Sequence, residues 1–121
     1  MADFSKSERR ILRQIAGDVH EAEAGELLGR LEAKFREWRE GTMLGSELIH
    51  EIHEFHQHHA RDLWSVYRVL RESDIVARGI AFGFMSEDRV PSDLLVKLAP
   101  MIEFYKRHNE HEEGDVGDDD A

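Results

Sequence analysis

Five of the chain's eight histidines, His50, His53, His56, His58 and His59, fall within ten positions of the run Glu47-Leu-Ile-His-Glu-Ile-His-Glu-Phe-His-Gln-His-His. Neutral imidazole is the commonest protein ligand for zinc, iron, nickel and copper, and two ligands three or four residues apart on a helix can grip one ion. His53, His56 and His59, with a carboxylate from another helix, are therefore the candidate ligands for a transition metal. The specific templates are not met. A zincin needs His-Glu-x-x-His with the histidines four apart, and no pair in the cluster has that spacing. Glu47-Leu-Ile-His50 matches the Glu-x-x-His of diiron bundles, but no second copy follows.

A helical wheel divides the cluster. His56 and His59 fall inside the apolar arc of their helix, His53 on its margin, and His50 and His58 elsewhere. Partly buried histidines hydrogen-bonded to a neighbouring carboxylate, carbonyl or water are then the plain structural expectation for His56 and His59. A pH-sensing role is a third reading, because free imidazole titrates near 6.5.

Other chemistry is sparse. Lys6, Arg9, Arg10 and Arg13 share one face of the first helix, yet no aromatic residue interleaves with them and no glycine-rich phosphate loop occurs. A solvated helix face accounts for them. Trp38 and Trp64, with Phe35 and Tyr67, lie on or beside apolar stripes and read as core or interface anchors. Ser46 has no nucleophile elbow around it, so no catalytic residue is assigned.

The run Ile52-His53-Glu-Phe55-His56, followed by Arg61-Asp-Leu63 and Tyr67, resembles a motif in a group of small bacterial all-helical proteins to which no activity is assigned. The likeness extends from the first helix to Tyr105. It implies a bacterial source and a helical fold, and it transfers no catalytic residue. In that group a Gly-Pro pair stands where this chain has His58 and His59, which shifts attention to His53, His56 and Arg61. Arg61, Trp64 and Tyr67 are the candidate partner-binding residues.

The elements that must position these residues read as helices throughout. From Ser7 to Glu40 no proline interrupts, Ser7 stands as an N-cap, and Glu8 complements the dipole in the first turn. Ile11, Leu12, Ile15, Val19 and Ala22 form one stripe. Leu27, Leu28, Leu31, Phe35 and Trp38 form another, rotated by about a third of a turn. That rotation predicts either a break near Gly25 or one long helix whose halves meet different neighbours.

Gly41 is a C-terminal cap, and Thr42 or Ser46 opens a second helix reaching about Arg71, with Leu48, Ile52, Phe55, Leu63, Val66 and Leu70 on its apolar arc. Ser73 or Asp74 caps a third helix that stops at Gly83, with Phe84 folding back over its end. Ser92 caps a last helix, in which Pro100 removes a backbone donor and predicts a bend. No segment alternates at a strand's period. The fold class is all-α, a compact bundle of about four to five helices with a long first helix.

The 121 residues suit one helical domain, 1–107, followed by an acidic tail, 108–121. The formal charge is -10, but the tail holds seven acids and no Lys or Arg, so the first 107 residues carry 19 acids against 16 bases, or -3. The tail has one aliphatic residue and is expected to be disordered. With no cysteine, thiolate metal sites, disulfides and thiol nucleophiles are excluded together. The start of the chain lacks a signal-peptide pattern and no long apolar run occurs, so a cytoplasmic location without membrane contact is expected.

Nucleic acid is disfavoured by the charge. Expected partners are a basic protein or further copies of the chain. The leading functional expectation is a macromolecule-binding protein, a regulator, inhibitor or accessory subunit. The alternative is a metal-binding protein or metal-dependent enzyme using the histidine-rich second helix.

Overall fold

The computed structural model describes residues 3–108 with their side chains, and the backbone as far as Asp119. The fold is all-α, with no strand among the described residues. Helix α1 spans Lys6–Arg39 and α2 spans Gly45–Glu54. A π-helical turn, Phe55–Ala60, joins α2 directly to α3, Arg61–Val69. Helix α4 is Glu72–Ala81, a short 3₁₀ turn covers Glu87–Arg89, and α5 is Ser92–Asp119. The disorder expected of the acidic tail falls, beyond His108, outside the residues described in full.

Helix ends follow from local chemistry, not always at the residue expected. Ser5, rather than Ser7, begins α1: its hydroxyl accepts from the Glu8 backbone N–H at 3.1 Å while the Glu8 carboxylate accepts from the Ser5 N–H at 2.8 Å. This is a capping box, two orphan amides satisfied reciprocally. At the other end Gly41 adopts φ 85°. Its N–H reaches the Trp38 carbonyl at 3.1 Å and that of Thr42 reaches Glu37 at 2.9 Å, the two bonds of a Schellman motif. Gly83, at φ 86°, repeats the arrangement, with Phe84 N–H on the Gly79 carbonyl at 2.8 Å.

At three other helix starts the helix begins at a different residue from the expected cap. Thr42 donates its hydroxyl to the Glu37 carbonyl, and α2 starts after Leu44 with no side-chain cap. Helix α4 likewise starts after Arg71, which places Asp74 inside its first turn. The Pro91 carbonyl, accepting from Leu95 N–H at 2.9 Å, makes Ser92 the first residue of α5 instead of its cap. Helix α5 continues through Pro100.

Helix α1 is unbroken at Gly25, so the alternative of one long helix with two differently engaged halves holds. Contacts divide the chain into two units, and the division falls within α1: Met1–His20 with Arg71–Ala121, and Glu21–Leu70. In the first unit Leu12, Ile15, Ala16 and Val19 repeat at helical spacing and are buried, as are Ile75, Val76, Ala77 and Ile80 of α4 and Leu94, Leu98 and Ile102 of α5. Gly79 allows the close approach of α4 to α1, since a Cβ there would lie 2.6 Å from Cγ1 of Val19. Lys97 bridges to Glu8 at 2.8 Å, and Arg89 to Asp18 at 2.6 Å.

The second unit is a helical hairpin. Helix α1 from Glu21 onward runs against α2, the π turn and α3 in the antiparallel sense: the Tyr67 hydroxyl donates to Glu23 Oε1 at 2.8 Å at one end, and Gly45 stands beside the Trp38 indole at the other. Leu48 is its one buried hydrophobic residue.

Candidate functional site

The π turn falls on Phe55-His-Gln-His-His-Ala60, the heart of the histidine cluster. Its cause can be read from the two helices it joins. Leu48 and Glu51 of α2, with Phe55 at the start of the turn, point inward, as do Leu63, Val66 and Tyr67 of α3 with Leu70 at its end. On a straight wheel these sets differ by roughly 80°, and one i→i+5 turn takes in one extra residue, which shifts the phase by about 100°. The turn lets both helices present an inward face to the same neighbour.

That geometry overturns the placement of His56 and His59 within the buried arc: both are exposed, as are His50, His53 and His58. No polar or charged residue is buried among the described residues. The partners of the cluster are local. His58 Nε2 lies 3.3 Å and His50 Nε2 3.8 Å from the two carboxylate oxygens of Glu54, one helical turn away on either side, and the His59 ring stands 6.4 Å from that of Phe55. Among the described residues no three His, Asp or Glu side chains gather where they could hold one metal ion. His53, His56 and His59 follow one another along this exposed segment.

Beside the π turn lies a cleft of about 140 Å³ lined by Leu27, Leu31 and Phe55 with Arg30, Lys34, Glu51 and His59. Small-molecule sites run to about 300–1,000 Å³. This one is smaller than that range. Its cations are modestly engaged, Arg30 with Glu26 at 3.1 Å and Lys34 with Glu37 at 4.0 Å, on exposed surface where such pairs contribute little.

Of the candidate partner-binding residues, Arg61 is exposed and Trp64 is 61% exposed with the Arg68 guanidinium 4.9 Å over its ring. Tyr67 is half-buried and its hydroxyl is already committed to Glu23. Sequence reasoning missed the company Trp64 keeps. Leu28, Trp38, Leu44, Ile49, Ile52 and Val69 are all exposed in the same unit. The signal was present in the arc of α2 and α3, which carries more apolar residues than one neighbouring helix can cover.

In the first unit Lys6, Arg9, Arg10 and Arg13 are exposed, and none of the four forms an ion pair among the described residues. Glu8 is held below its ordinary 4.5, first by the hydrogen bond from Lys97 and then by the Ser5 backbone N–H. The Tyr105 phenol is raised above 10, first by burial and then by the adjacent Asp74 carboxylate, to which it donates at 3.3 Å. Among the described residues no helix is long and apolar enough to cross a membrane. No family model, curated protein or solved structure matches the chain.

Proposed function

We propose that the chain is a small helical protein that acts by binding another macromolecule, as a regulator, inhibitor or accessory subunit, and that the partner is a basic protein. One observation carries the reading. Between Glu21 and Leu70 the one buried hydrophobic residue is Leu48, while Leu28, Trp38, Leu44, Ile49, Ile52, Trp64 and Val69 stand exposed. Single exposed apolar residues are ordinary, but this concentration on one hairpin is the composition of a surface that closes on something else. The seven acids after residue 107 supply long-range attraction for a basic partner.

The test begins with capture on the immobilised full chain and identification of what is retained. Rates are then measured with the purified partner. A basic protein whose association slows as salt rises from about 50 to 300 mM is the expected result. Trp38→Ala, at the hairpin's turn, is expected to weaken it. An empty capture together with stoichiometric, tightly held metal in untagged protein would replace this reading with one centred on the histidine segment.

A further inference from the structure

We infer that one side of the Glu21–Leu70 hairpin is the interface with a second copy of this chain, giving a two-fold dimer of hairpins; the inference rests on the reading of this hairpin as an association surface. In an antiparallel helix pair, turning away from the inward face in the direction of increasing residue number leads to the same side of the pair on both helices. Measured that way, Leu28 lies about 90° from the inward face of α1, Ile52 and Ile49 about 70° and 130° from that of α2, and Trp64 about 110° from that of α3. All four stand on one side. They are 56%, 38%, 70% and 61% exposed respectively.

Charge at the rim identifies the occupant. Glu21 and Arg39 are 18 residues apart, about five turns, so they share one bearing on α1, within about 20° of Leu28. Both are exposed, and neither has an ion partner among the described residues. A two-fold axis crossing α1 midway between them, at the level of residue 30, sets Glu21 of each copy against Arg39 of the other. Such reciprocity is the signature of an isologous interface.

The same axis is consistent across the hairpin. Contacts between Glu23 and Tyr67, and around Leu31, Phe55 and His59, place the level of residue 30 close to residue 58, inside the π turn. Ile52 and Trp64 lie six residues on either side of it, so each meets the other's counterpart in the second copy. The four apolar residues expose roughly 450 Å² per copy, close to the apolar share of a standard-size interface of about 800 Å² per partner, as suits a reversible dimer. The turn carrying Trp38 and Leu44 is left for the basic partner.

Sedimentation of the full chain between about 1 and 100 µM tests the inference. A species of twice the chain mass is expected. Glu21→Arg and Arg39→Glu, singly, put like charges opposite each other twice per dimer and are expected to raise the dissociation constant roughly tenfold, with circular dichroism unchanged. The double variant carrying both changes is expected to restore it, since the pairs reform with their signs exchanged. A monomer at 100 µM overturns the dimer, as does a dimer whose strength ignores the single charge changes. A monomer that still takes an identified basic protein removes the dimer and leaves the broader reading standing.

Discussion

At the scale of single residues, exposure decides more than identity. His56 is an imidazole on the outer surface of the π turn, so His56→Ala should change stability by no more than about 0.5 kcal/mol. Denaturant unfolding of the variant checks this, and a loss several times larger would put the ring back among core groups. Gly79 is the opposite case. A methyl there would stand 2.6 and 2.8 Å from the two Cγ atoms of Val19, which is fully buried and β-branched, so its rotamer has little room to change. The helix propensity gained from Gly→Ala is worth about 1 kcal/mol, whereas overpacking a tight contact costs about 1–3 kcal/mol. Gly79→Ala should therefore lower stability on balance, which thermal or denaturant melts will read. Glu8 supplies the pH dependence. Because its folded pKa is depressed, its contribution is present above the unfolded value near 4.5 and is lost as pH falls through the lower folded value. Glu8→Gln should flatten that acid limb in a pH series of melting midpoints.

Elements show where a sequence can and cannot be read. The periodic apolar positions of α1, α4 and α5 and the left-handed glycines at 41 and 83 were legible because each depends on neighbours within one turn. The rotation between the two stripes of α1 was legible too, since its halves serve different units. Caps slipped by a few residues because Ser5, Ser7, Ser73 and Ser92 are chemically equivalent candidates, and packing chooses between them. The π turn was invisible for a different reason. It is one extra residue in an otherwise continuous helix, and a wheel drawn at a constant 100° per residue absorbs it as a wide apolar arc that swallows His56 and His59. Its role as a phase reset has a consequence. Deleting the exposed Gln57 should convert the turn to ordinary α-helix while keeping the inward faces of α2 and α3 aligned. Helical content and melting midpoint should stay within a few degrees of the parent. Global unfolding of the deletion would show that the turn is held by its own contacts instead.

Across the whole chain, apolar surface and charge are separated along the sequence. The last fourteen residues hold seven of the 26 acids and one aliphatic side chain, Val116, so they have almost nothing to add to a core and much to add to a long-range field. The buried side chains of α5 end at Ile102 among the described residues, well before that stretch begins. Removing 108–121 should therefore leave the melting midpoint within a few degrees and the helical hairpin as strongly self-associated as before. Its effect should fall on encounter with a basic protein: the association rate drops, most at low salt where the Debye length is long, while the dissociation rate changes little. Stopped-flow traces at about 50 and 300 mM salt separate the two cases. If the truncated chain instead dissociates faster with its association rate intact, the acids make fixed contacts in the complex, and steering is not their function.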